Sequence, residues 1–218
     1  MRLCFNCLFI LFFIEMSFAQ TSFNYGPTNF DVIKKINVGD QNASNVFRAS
    51  NLASLKGVIG SPYRNPFFEI GIIFRNNDSI KSFLRYNGLN DEIEISLSKD
   101  AVSSTNALIK SKLISCRINN DLFVYTEFID DSKLKNKGYL IKVYDGEKYH
   151  LYVRDKKVFK EGENAKNSLE HDRPPKFIDK QTVFIQYKSD LPKAVKLKYK
   201  KISKLIAKED RSKLARLK

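Results

Sequence analysis

The sequence has no Trp, only two His and two Met, and just three Cys in 218 residues. Two imidazoles are too few for a His-based metal cluster. Cys4 and Cys7 form a C-x-x-C inside an N-terminal leader, so after processing Cys116 is the single thiol and no intrachain disulfide can form. Stability in an oxidising compartment then has to come from the core. A Gly-rich phosphate loop, G-x-S-x-G, H-E-x-x-H and a zinc-type cysteine pair are all missing from the processed chain, and with them the sequence grounds for phosphoryl transfer, triad hydrolysis or zinc chemistry. No apolar run approaches the roughly 20 residues that span a bilayer.

The longest apolar run, Leu8 to Ile14, follows Met1-Arg2 and precedes Ser17-Phe18-Ala19, which puts small residues at the −3 and −1 positions of a cleavage site. Residues 1–19 therefore read as a secretory signal peptide cut between Ala19 and Gln20, with Glu15 arguing against an uncleaved anchor. Gln20 stands where a lipoprotein would need Cys. The expected product is an exported protein, periplasmic, outer-membrane-associated or secreted, with no transmembrane segment after cleavage.

Charge is uneven. Thirty-eight Lys and Arg against 24 Asp and Glu give +14, yet residues 193–218 alone hold eleven basic and two acidic side chains, a net +9. The surface attracts anions, and most of that attraction sits at the C-terminus.

Periodicity organises the rest. Residues 20–56, rich in Asn, Ser, Gly and Asp, read as an irregular segment. Residues 57–198 alternate in the manner of strands. Phe68, Ile70, Ile72 and Phe74 are expected on one face, returning through Asn76-Asn77-Asp78 as Ile80, Ser82, Leu84 and Tyr86. Residues 92–97 alternate acid or Ser with Ile or Leu, predicting a strand dry on one side and wet on the other. Residues 98–111 read as a connection with at most a helical turn. Cys116 is expected opposite Val124, and a bulged loop at Asp145-Gly146 should pair Ile141 with Leu151 and Tyr139 with Val153. Further strands follow at Val183–Tyr187 and Val195–Leu197. The fold class is mainly β: an antiparallel meander forming a sandwich or partly open barrel, with one or two short C-terminal helices. In 199–218, Ile202, Leu205, Ile206, Leu214 and Leu217 recur at helical spacing, giving a basic amphipathic end that docks on or near the sheet, with a second helix starting near Asp210.

Few side chains suggest chemistry. His150 lies inside a strand and reads as a polar-face residue. Glu170-His171-Asp172 reads as a solvated loop, since neighbours in sequence do not make a site. Carboxylates gather at Asp91, Glu92 and Glu94 and at Glu127, Asp130 and Asp131. Glycosidase pairs come from separate elements facing a groove, so Glu92 and Glu94, on one strand face, read as solvated. Cys116, on the apolar side, reads as a small hydrophobe.

Gly60-Ser61-Pro62-Tyr63, the strand 68–74, Leu84-Arg85-Tyr86-Asn87 and Asn90-Asp91-Glu92-Ile93-Glu94 together resemble a family of uncharacterised exported proteins of Bacteroidetes-type bacteria. The Asp145-Gly146 hairpin, the aromatic strand 182–187 and the Lys-rich end fit the same pattern. The resemblance covers most of residues 57–218, implies an envelope location and one domain, and brings no catalytic residues. Function is accordingly expected to be non-enzymatic, by binding or scaffolding, without cofactor or metal. The alternative is a carrier holding a lipid or other apolar ligand in a half-open barrel. Lys196, Lys198, Lys200, Lys201, Lys204, Lys208, Arg211, Lys213 and Arg216 are the candidates for contact with anionic lipid or another envelope component. Nucleic acid fits the charge but not the export signal, so it is not expected as a physiological partner.

Overall fold

The computed structural model describes residues 33–35, 57–102, 104, 106–165, 167, 171–196 and 199–205. The strands are β1 (Ile33–Lys35), β2 (Glu69–Arg75), β3 (Asp78–Asn87), β4 (Glu92–Ser96), β5 (Asn106–Leu108), β6 (Ile114–Ile118), β7 (Asp121–Ile129), β8 (Lys135–Asp145), β9 (Tyr149–Lys160), β10 (Lys176–Tyr187) and β11 (Lys193–Val195). They join in one sheet in the order β1-β5-β4-β3-β2-β6-β7-β11-β10-β9-β8, with β8 also paired to β7. Every ladder is antiparallel except β11 on β7, a single parallel pair of Lys193 with Ile129. The domain is thus a mostly antiparallel β-sheet, and its strands do not close into a barrel about one axis.

Two turns set the register of the first half. Asn76 and Asn119, each the first residue of a two-residue loop, take φ of 54° and 53°. Asn tolerates this left-handed region better than other side chains with a Cβ. The loops bring Arg75 opposite Asp78 and Ile118 opposite Asp121. Cys116 consequently faces Phe123, not Val124, because the tight Asn turn shortens the expected loop by one residue.

The buried faces also differ from the simple pattern. On β3, Ser82, Leu84 and Tyr86 are buried as expected, but on β2 it is Ile73 that enters the core while Ile70 stays 54% exposed. Gly71 explains the exchange. It lies across from Ser82, and a Cβ there would come within 2.6 Å of Leu84 Cδ1, so the core uses the absence of a side chain on that face of β2. Strand β4 is buried on both sides, Glu92 and Glu94 as completely as Ile93 and Ile95, so the side expected to be wet is dry. Residues 98–111, expected as a connection, contain β5.

Two cores share a wall. Leu84, Tyr86, Ile93, Ile95, Ile114, Cys116, Phe123, Tyr139 and Ile141 belong to one cluster that runs from β2 to β8, so the sheet folds back over itself. Phe128, Leu140, Tyr152 and Phe184 form a second cluster. Strands β7 and β8 lie between them: Phe123 and Tyr125 face the first and Phe128 and Val124 the second, as do Tyr139 and Ile141 against Leu140. This two-sided burial hides the alternation that a one-sided strand would show.

In the β8–β9 hairpin Ile141 pairs with Val153, Tyr144 with Leu151 and Asp145 with His150, with a bulge between Lys142 and Tyr144. Apolar still meets apolar, but the partner is two residues beyond the expected Leu151: the loop between the paired Asp145 and His150 holds four residues, which displaces the register by three, and the bulge in β8 takes one back. At the C-terminal end, α1 (Tyr199–Ile202) runs into a 3-10 turn at Ser203–Leu205. Ile202 is 1% exposed and packs with Tyr144 and Leu151 beside Val183 and Ile185. Of the expected basic amphipathic end, Ile206, Leu214, Leu217 and the helix near Asp210 lie outside the described residues.

Candidate functional site

The dry underside of β4 is the most unusual part of the molecule. In the β3–β4 ladder Arg85 stands directly opposite Glu94, and Asn87 opposite Glu92. Arg85 donates from Nη2 and Nε to Glu94 Oε2 at 2.6 and 3.2 Å, and Asn87 Nδ2 donates to Oε1 at 3.2 Å. Both members of the ion pair are within 3% of full burial. Burial pushes the Glu94 carboxyl up, against the pull of the Arg85 guanidinium and its hydrogen bonds, which acts in the other direction.

Arg85 does more than neutralise Glu94. Its Cζ lies 3.6 Å from the Tyr63 ring centre and 4.1 Å from that of Phe68, so two π-faces surround the cation. Its Nη1 donates to Pro66 O at 2.9 Å and to Val102 O at 3.3 Å, tying the segment before β2 to the segment after β4. Between these segments opens a cleft of about 560 Å³ lined by Gly60 to Tyr63, Pro66, Phe67, Arg85 and Lys99 to Val102. Phe67 and Val102, both 70% exposed, stand at it as unburied apolar side chains.

Local structure holds each wall. Arg64 N donates to Tyr86 O at 3.1 Å and Gly88 N to Pro62 O at 3.0 Å, laying residues 62–64 along the end of β3. Asn87 Oδ1 accepts from the backbone of Leu89 and Asn90, fixing the turn that brings Glu94 back under Arg85. On the other wall, Ser96 and Ser98 hydroxyls accept from the backbone two residues on, at 3.0 and 3.2 Å. The Tyr63 hydroxyl is buried and makes no hydrogen bond among the described residues, and burial followed by the Glu94 charge raises its pKa to about 12, so it stays protonated.

A second buried carboxylate stitches the same turn to the far side of the fold. Asp91, at φ 54°, accepts from Tyr86 Oη at 2.7 Å, from Tyr139 N at 3.2 Å and from Arg154 Nη2 at 3.1 Å. Beside it, Arg64 bridges Asp121 and Asp155, the latter at 2.8 Å.

This arrangement can bind, but its ionisable groups are occupied. Glu94 is held by Arg85 and Asn87, and the Cys116 thiol is fully buried, which pushes its pKa far up. Among the described residues no group of three or more His, Cys, Asp or Glu is placed to hold a metal. His150 Nδ1 pairs with Asp145 Oδ1 at 2.5 Å across the hairpin, and His171 lies on an exposed loop.

Of the residues singled out by charge, Lys196, Lys200 and Lys204 are exposed. The side chain of Lys201, and Ala19, Gln20, Lys198, Lys208, Arg211, Lys213 and Arg216, lie outside what is described. Among the described residues no helix is long and apolar enough to cross a membrane. Sequence reasoning missed Arg85, Tyr63 and Phe68. The available signal was an Arg on the face of one strand opposite its apolar positions and a Glu on the matching face of the next, joined by an Asn-rich turn. No family model, curated protein or solved structure matches the chain.

Proposed function

We propose that the protein is an exported binding protein of the bacterial envelope that takes a small apolar ligand into the cleft at Arg85 and performs no chemistry on it. The observation that carries this reading is the cleft itself. Its volume falls within the roughly 300–1,000 Å³ usual for small-molecule sites, its walls are mainly apolar, and Arg85 holds those walls together from beneath. Non-enzymatic action is supported by the engagement of Glu94 and Arg85 with each other. The scaffold in this reading is a sandwich-like wrapping of one sheet. Of the runs on which the family resemblance rests, 60–63 and Arg85 line the cleft, and Glu94 pairs with Arg85 beneath it. The exposed cations of the C-terminal end are the contact with anionic lipid.

A carrier function remains the second reading, with the apolar ligand in this outer cleft rather than beneath the C-terminal helix, where Ile202, Tyr144 and Leu151 fill the space. Titration with the neutral fluorescent probe N-phenyl-1-naphthylamine tests both. Saturable binding to the processed protein is expected, and Val102→Asp with Phe67→Asp should weaken it at least about tenfold, the loss of two apolar contacts. Binding that the double variant leaves unchanged would remove the cleft from the function.

A further inference from the structure

On one face of the outer half of the β9–β10 ribbon, none of the six paired strand positions is an acid. Lys156 pairs with Lys180, Val158 with Ile178 and Lys160 with Lys176. All six side chains are exposed, Val158 at 40% and Ile178 at 41%. The alternate residues Lys157, Phe159 and Phe177 are half-buried on the other face, where Lys157 Nζ pairs with Asp179 at 2.5 Å and the two Phe rings pack 5.4 Å apart. The outer face therefore presents four ammonium groups at the corners of a rectangle, about 13 Å along the strands and about 5 Å across them, with two branched aliphatic side chains at its centre.

Lys160 Nζ reaches Glu163 at 3.5 Å, and Asp130 and Asp131 line a recess with Lys156 and Lys180. Among the described residues no carboxylate forms an ion pair with Lys156, Lys176 or Lys180. Like charges directly opposite on neighbouring strands destabilise a sheet, and these two Lys–Lys pairs bury nothing in return. An anionic partner removes that repulsion.

We infer that this face docks on an anionic bilayer surface, lipid phosphates meeting the four lysines while Val158 and Ile178 enter the headgroup layer. The central aliphatic pair favours lipid over a soluble polyanion, which would engage the lysines and leave the pair in water. This surface is distinct from the C-terminal cations and does not rest on the cleft. It does lie one loop away from it: Phe177 N donates to Ile59 O at 2.9 Å, and Gly60 begins the cleft wall.

Flotation of the full processed chain with vesicles of phosphatidylglycerol and phosphatidylcholine at low salt provides the test, with the C-terminus intact throughout. The combined variant Lys156→Gln, Lys160→Gln, Lys176→Gln and Lys180→Gln should partition at least about tenfold less than the parent, a conservative figure for four cations near the surface. Val158→Ser with Ile178→Ser should weaken vesicle binding severalfold and leave binding to inorganic polyphosphate unchanged. Circular dichroism and the urea midpoint should show both variants folded, since all six positions are exposed. Vesicle binding unchanged in the four-lysine variant would overturn the proposal. So would loss of polyphosphate and vesicle binding together with no effect of the aliphatic pair, which marks a polyanion site. Self-association of the lysine variant with vesicle binding retained would also overturn it, because the lysines would then be guarding a sheet edge. The cleft variant Val102→Asp with Phe67→Asp should bind vesicles normally, so failure of either proposal is seen without the other.

Discussion

Glu94 and Glu127 are both glutamates paired with cations, and their environments move them in opposite directions. Glu94 has one guanidinium, two neighbouring rings and almost no water, and its carboxyl is raised. Glu127 has Lys135 at 2.9 Å, Lys137 at 3.3 Å and Lys112 at 3.5 Å around a half-buried side chain, and those lysines lower it to about 2. Pairing alone does not decide the sign. When water is almost fully removed, the cost of keeping a carboxylate charged outweighs a single good partner, whereas three converging cations outweigh the cost at a half-buried one. The first arrangement fixes a structure and the second decorates one.

The sharpest way to break the comparison is to remove the buried partner. Arg85→Ala leaves Glu94 charged and unpaired in the interior, with an expected loss of about 3–5 kcal/mol in urea unfolding. Arg85→Met combined with Glu94→Leu should recover most of that stability. It cannot recover the hydrogen bonds to Pro66 and Val102, so probe binding in the cleft should stay weak. A double variant that regains both would show that Arg85 does not hold the cleft walls.

Asp91 extends the comparison to a second buried carboxylate. Asp91→Ala removes the acceptor for Tyr86, Tyr139 N and Arg154 at once, with an expected loss of about 2–3 kcal/mol by chemical denaturation. A loss as small as that of a surface substitution would contradict the role of this turn in closing the fold.

The smallest effect is also the most diagnostic, because it is a slope. For Glu94 the folded carboxyl holds its proton to higher pH than the unfolded one, so its contribution to stability falls as pH rises above 4.5 through the raised value. For Glu127 the folded value is depressed, so its contribution is full above 4.5 and is lost as pH falls toward about 2. Urea midpoints across pH should therefore lose a downward trend above pH 4.5 in Glu94→Gln and a loss on acidification in Glu127→Gln. The second effect should also shrink in high salt. Identical slopes in the two variants would mean that burial does not separate them.

Much of the fold was legible as alternation: the β3 face Ser82-Leu84-Tyr86 and the hairpin around Asp145-Gly146 follow from spacing. What escaped has a common cause. Alternation gives the period of a strand but not which side meets water, so Glu92 and Glu94 looked solvated when a second layer covers them. Strands β7 and β8 face two cores, which erases the polar half of their pattern. Registers at Cys116 and Ile141 turned on loop length: Asn119, at positive φ, closes a loop one residue shorter than expected, and the loop after Asp145 is longer than expected, with a bulge in β8 offsetting one residue of that shift. Of the candidate site, Glu94 was noticed for its charge, while Arg85 was not, because its partner is defined only once the β3–β4 register is known.

The shared wall formed by β7 and β8 has a further effect on how the molecule comes apart. A protein whose two cores abut through a loop can lose one and keep the other. Here each core supplies half the packing of the same two strands, so opening either one strips a face from the strands that support the other. The expected consequence is that the described β-sheet opens as one cooperative unit, with low-stability excursions in segments outside the wall.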